Sequence, residues 1–112
     1  MNAKQGELFL VPFPFSNFKG SKVRPVLVLS KDSYNIHSSD VIVCAITSQI
    51  QQNAYSIEIG NDNLAEGILY ERSAVKIENI LKIEKSLFIK KIATVNSRTI
   101  SQIIAIAQSL FK

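Results

Sequence analysis

The chain has 112 residues, 46% of them hydrophobic, which is enough for one buried core, too little for two, and too apolar for a disordered chain. No apolar run approaches the ~20 residues that span a bilayer, and the opening MNAKQGELFLVPF lacks the small-residue cleavage pattern of a signal peptide, so no membrane partner is expected and the cytoplasm is the expected location. Thirteen Lys and Arg against nine Asp and Glu leave a net charge of +4, a modest pull towards polyanions, and the single cysteine, Cys44, excludes an internal disulfide or a cysteine zinc site within one chain.

In chain order, residues 6–13 (GELFLVPF) read as a first strand, closed by Pro12-Phe13-Pro14. Residues 14–22 (PFSNFKGSK) read as an exposed loop. Residues 24–30 (RPVLVLS) and 41–47 (VIVCAIT) are β-branched and apolar on both faces, as in strands covered on two sides. The segment between them, KDSYNIHSSD, is polar and rich in turn formers. A second polar loop, SQIQQNA, leads to an alternating strand at 55–59 and a turn at Asn61-Asp62-Asn63. Residues 67–71 and 73–83 supply one or two more strands, and 85–91 fits a short helix or a strand equally well. In the tail, Ile100, Ile103, Ile104, Ala107, Leu110 and Phe111 recur at helical spacing, with Asn96 or Ser97 as the cap. The pattern is mainly β within an α+β class: a small, partly closed antiparallel barrel with one late helix packed on it.

Arg24 poses the functional question, because it sets a permanently charged guanidinium at the mouth of an aliphatic strand. Pro25 has no N–H to give a sheet ladder and holds Arg24 in extended conformations, which lowers the freedom lost when a ligand binds. If strands 24–30 and 41–47 form a hairpin in which Ser30 faces Val41, Arg24 faces Thr47. Opposed Cβ atoms lie about 4.5–5.5 Å apart, so guanidinium and hydroxyl would serve one small volume. A slip of one residue would send them to opposite faces, and strands apolar on both sides do not fix the register themselves. In the first loop, Phe15, Ser16, Phe18, Lys19 and Lys22 interleave rings, a hydroxyl and cations, a combination that stacks bases and follows a phosphate backbone. Ser48, Gln49 and Gln51 in the second loop, with Gln52 and Asn53 beside them, offer donors and acceptors to base edges. Cys44, mid-strand among aliphatics, reads as a core residue, and the only histidine, His37, as an ordinary residue of the polar connection.

Taken together, Gly6-Glu7-Leu8-Phe9-Leu10-Val11-Pro12-Phe13, Gly20-Ser21-Lys22-Val23-Arg24-Pro25-Val26-Leu27-Val28-Leu29-Ser30 and Val41-Ile42-Val43-Cys44-Ala45-Ile46-Thr47-Ser48, followed by Gly67-Ile68-Leu69, Ser73 and the closing helix, resemble the MazF/PemK family of toxins over nearly the whole chain. The resemblance implies one toxin domain over residues 1–112, an SH3-like barrel with a C-terminal helix, and a homodimer restrained by a cognate antitoxin. It implies an endoribonuclease that cuts single-stranded RNA with no metal or cofactor, leaving 2′,3′-cyclic phosphate and 5′-hydroxyl ends. The family's arginine before proline carries over to Arg24 and its strand-end threonine to Thr47, as the catalytic pair. Some relatives place a histidine or an acid near the first loop or fifth strand, but residues 14–22 hold neither. Glu71 and Glu7 remain the candidates for the base. The alternative reading is a non-catalytic or weakly catalytic relative that binds RNA or a protein, since the gyrase poison CcdB shares the fold.

Overall fold

Among the described residues seven strands form one antiparallel sheet: β1 (Glu7–Phe13), β2 (Lys22–Val28), β3 (Asp40–Thr47), β4 (Ser56–Ile59), β5 (Leu64–Gly67), β6 (Ser73–Glu84) and β7 (Lys90–Val95). A short helix α1 (Asp32–Asn35) lies between β2 and β3, and α2 (Ser97–Ser109) follows β7. The computed structural model describes residues 2–13 and 22–112. The spatial order β4-β6-β3-β2-β1-β7-β5 puts β4 and β5 at opposite edges. A flat sheet of that order would hold those edges ~29 Å apart, at ~4.8 Å per strand spacing. The chain from Ile59, at the end of β4, to Leu64, at the start of β5, can reach only ~18 Å. The sheet therefore curls into a half-barrel, as expected for an antiparallel, mainly β fold with a closing helix.

The curl creates an inner and an outer cluster. Leu8, Leu27, Cys44, Ile46, Val75, Ile77 and Ile103 are buried together, with Ile100, Ile104 and Ala107 of α2, and Leu110 just beyond it, packed over them. Asn96 caps α2, its Oδ1 accepting the Thr99 N–H at 2.9 Å. Alternate residues of the same strands, including Phe9, Val11, Val26, Val28, Val41 and Val43, bury on the other face with Ala3 and Phe88. That explains the continuous apolar runs of β2 and β3. Phe111, expected on the buried stripe, is 79% exposed because α2 ends before it.

Several boundaries differ from the sequence reading. The strand expected at 67–71 lies at Leu64–Gly67. Gly67 ends it with φ +87°, and a Cβ there would stand 2.4 Å from the Ile92 carbonyl oxygen, so both conformation and close approach to β7 require glycine. Residues 85–91 form neither a helix nor a whole strand: a 3₁₀ turn at Lys85–Leu87 precedes β7, which pairs with both β1 and β5. Residue 22 belongs to β2 rather than to the preceding loop. Among the described residues no helix is long and apolar enough to cross a membrane.

The register of β2 on β3 is fixed at the closed end of their hairpin. Ile42 N–H donates to the Ser30 hydroxyl oxygen at 3.0 Å, and Leu29 N–H donates to the Ile42 carbonyl at 2.8 Å. Asn35, 1% exposed, clasps the same serine: its Nδ2 donates to the Ser30 carbonyl at 2.8 Å and its Oδ1 accepts the Ser30 hydroxyl. Lys85 in turn donates its ammonium to the Asn35 carbonyl. A polar knot thus supplies the register that two apolar strand faces cannot. Asn35→Ala removes two hydrogen bonds to the half-buried Ser30, and urea unfolding is expected to show a loss of about 1–3 kcal/mol. An unchanged midpoint would show that the knot contributes nothing.

Candidate active site

The β2–β3 ladder pairs Val28 with Val43, Leu27 with Cys44 and Val26 with Ala45. Extended by two residues, that register would set Arg24 across from Thr47, the arrangement the sequence suggested, but β2 and β3 cease to pair before that point. Arg24 is held opposite Val11 of β1, and Thr47 opposite Ala74 of β6. Where the strands cease to pair lies an open cleft of about 410 Å³, lined by Lys22, Arg24, Thr47, Ser48, Gln49 and Glu71. Arg24 and Thr47 are both half-buried, neither sealed in the core nor free in solvent.

The site grows out of one face of the sheet. Val28, Val26 and Arg24 project on one side of β2, and Val43, Ala45 and Thr47 on the matching side of β3. Along both strands burial gives way towards the cleft, so the apolar patch that anchors the hairpin ends in the polar pair. Thr47 Oγ1 accepts the Gln49 N–H at 3.1 Å, which tightens the start of the second loop. With that lone pair used, the hydroxyl proton is available to an acceptor in the cleft.

The two carboxylate candidates separate cleanly. Glu7 is 8% exposed; its Oε1 accepts the Lys4 N–H at 2.7 Å and its Oε2 lies 3.0 Å from Lys91 Nζ. It is a structural anion on β1 and does not line the cleft. Glu71 does, in the connection before β6, where its carbonyl accepts the Ser73 hydroxyl at 3.3 Å. His37 is exposed beyond α1, in the connection at the knotted end of the hairpin. Lys22, Ser48 and Gln49 line the cleft, while Gln51 lines a smaller hollow next to it. Phe15, Ser16, Phe18 and Lys19 lie outside the described residues.

One functional candidate escaped the sequence reading. Lys76 lines the smaller hollow with Gln51 and Ser56, and it stands between Ala45 of β3 and Ser56 of β4. Its signal was its place as the cation between the apolar Val75 and Ile77 of an alternating strand. The sequence does not show that a bulge in β6, where Cys44 faces Ile80 but Ala45 faces Lys76, brings it alongside Thr47.

A curled antiparallel half-barrel with an arginine, a hydroxyl and a carboxylate around one open cleft is suited to gripping and transforming a phosphodiester. The chain belongs to the PemK-like, MazF-like toxins of type II toxin-antitoxin systems, whose family model matches residues 4–111. It is 30% identical over 105 residues to "Endoribonuclease EndoA" of Bacillus subtilis, covering 92% of this chain and 89% of that protein. Its fold superposes on a mycobacterial endoribonuclease solved with its cognate antitoxin, with TM-score 0.76, 19% identity and 96% of each chain covered. It also superposes on a MazE–MazF structure from Deinococcus radiodurans, with TM-score 0.77, 18% identity, and 98% of this chain and 96% of the other covered. At these identities the superpositions establish a shared fold.

Cys44 is the core residue that its neighbours suggested. It is fully buried, and burial pushes its thiol from 9.0 up to about 12. The folded protein therefore holds the proton more tightly than the unfolded chain, so this group's contribution is complete below pH 9 and is lost as pH rises towards 12. Cys44→Ala is expected to flatten the decline of stability over that alkaline window, as read by urea melts at stepped pH. An equally steep decline in the variant would contradict the assignment.

Proposed function

We propose that this chain is a metal-independent endoribonuclease toxin acting on single-stranded RNA, with residues 1–112 as one toxin domain. The reading is carried by the convergence of Arg24, Thr47 and Glu71 on one open cleft, and it is supported by the family of the chain and the activity named for the Bacillus subtilis relative. The nucleophile is the ribose 2′-oxygen of the substrate itself. Glu71 takes the 2′-hydroxyl proton, the 2′-oxygen bonds to phosphorus, and the bond from phosphorus to the 5′-oxygen breaks. The departing oxygen takes a proton from water. The products are a 2′,3′-cyclic phosphate and a 5′-hydroxyl.

Charge gathers on the non-bridging phosphate oxygens as the new bond forms. The forked donors of Arg24 match those oxygens, and being fixed cations they stabilise the charge rather than shuttle the proton. The Thr47 hydroxyl donates to the same phosphate and orients it for in-line attack. Lys22, Ser48 and Gln49 hold the flanking nucleotides, with Gln51 in the adjoining hollow and Phe15, Ser16 and Lys19 assigned the same role from the sequence. The protein works in the cytoplasm as a homodimer held inactive by a cognate antitoxin, a reading supported by the family and by the antitoxin-bound structures of its fold relatives.

Single-stranded RNA incubated with the protein in EDTA is expected to yield fragments with 5′-hydroxyl and cyclic phosphate ends. Arg24→Ala should lower kcat by roughly 10²–10³-fold, the scale of one lost transition-state donor, and Glu71→Gln by roughly 10²–10⁴-fold, the scale of one lost general base. Intact RNA that merely shifts in a gel would replace the nuclease with the binding alternative. A Glu71→Gln protein as fast as the parent would remove Glu71 from the mechanism.

A further inference from the structure

The hollow beside the cleft holds a cation, Lys76, that the proposed reaction does not use. It measures about 90 Å³ and is lined by Thr47, Gln49, Gln51, Ser56, Ala74 and Lys76. Thr47 and Gln49 also line the main cleft, so the two spaces share a wall. On the sheet, Lys76 faces Ala45 on one side and Ser56 on the other, and Thr47 pairs with the neighbouring Ala74. All of these project from one face, because directly paired residues share a side. The opposite face, with Ile46, Ile57 and Val75, packs into the inner core.

Lys76 is half-buried, and among the described residues its ammonium has neither a hydrogen bond nor an ion pair. An acid on the same face of the neighbouring strand is Glu58, which lies opposite Ala74. Arg72 already occupies that carboxylate, with Nε 2.6 Å from Glu58 Oε2. What remains around the hollow, among the described residues, is the Lys76 cation and the amides of Gln49 and Gln51, with no carboxylate, while the Ser56 hydroxyl donates to Asn53 Oδ1 at 3.2 Å. A partly desolvated cation beside neutral amide donors calls for an anion with several acceptor oxygens.

We propose that this hollow is a phosphate subsite, in which Lys76 binds the backbone phosphate next to the scissile one. The inference rests on the RNA-cleaving reading above. The wall shared through Thr47 and Gln49 joins the two phosphate positions, so a strand running from the cleft over Thr47 delivers its next phosphate to Lys76. Lys76 fixes the register of the substrate and takes no part in the proton transfers.

The test uses the full chain, a 2′-O-methyl decamer of the cleaved sequence, which binds without being cut, and a dinucleotide containing only the scissile phosphate. Lys76→Ala is expected to weaken decamer binding roughly tenfold, the scale of one charged hydrogen bond. It should also reduce the slope of log K against log salt by ~0.7, the value for one phosphate contact on a single strand. The loss in kcat/KM should be several-fold greater on a decaribonucleotide than on the dinucleotide, and Lys76→Arg should restore most of the binding. Parent-like affinity and salt slope in Lys76→Ala would overturn the inference while leaving the nuclease reading intact, and so would equal losses on long and short substrates. A parent protein that does not bind the decamer would overturn both.

Discussion

The site depends on the pairing register of β2 with β3, and that register is set at the end of the hairpin remote from the cleft. Ser30 and Asn35 bond to one another and to the backbone of both strands, so the hairpin closes in one way. A strand shifted by one residue turns every side chain to the other face. Such a slip would carry Arg24 with Val26 and Val28, or Thr47 with Val43, into the inner core, and would bring Leu27, or Cys44 and Ile46, out of it. The cost of that arrangement is large on both counts, since a buried charge must be paired and lost apolar burial is expensive. Burial and the polar knot therefore favour the same register, and the cleft inherits its geometry from it.

The second organising feature is how the anions are placed. Glu7 and Glu66 both lean on Lys91, whose hydrogen bonds hold the Glu66 carboxyl below its usual range and raise the lysine. Glu58 and Asp62 engage Arg72, and Asp40 engages Lys82. The exposed pairs add little to stability, and none of the carboxylates in these pairs lines the cleft. Of the glutamates considered for catalysis, Glu71 is the one left facing the cleft. The modest excess of positive charge in the sequence thus gains meaning only from its arrangement.

Much of this was legible in the residues. The double-sided apolar runs of β2 and β3, the helical stripe and its Asn96 cap all follow from side-chain periodicity and local backbone chemistry, whereas the register that turns Arg24 towards Thr47 rests on the Ser30–Asn35 knot. The polar connection hid the short helix α1 because Asn35 is buried by tertiary packing, and a single asparagine carries no sign of that. β7 was obscured because Lys90 and Lys91 begin it, although one of them is a structural partner of Glu7. β5 was placed late because Gly67 ends that strand instead of starting it. Lys76 and Glu71 could not be ranked from sequence, since both owe their positions to long-range pairing: the β6 bulge for the first, and the approach to the β2–β3 mouth for the second.

The central claim is that Arg24 and Thr47 act on the same phosphate in the transition state. A double-mutant cycle on kcat with Arg24→Ala, Thr47→Val and the combined variant tests it directly. Two donors serving one group should be coupled by about 1 kcal/mol or more, so that the double variant loses clearly less than the two single losses together. Losses that add within about 0.5 kcal/mol would show that the two side chains work independently, and would contradict the account.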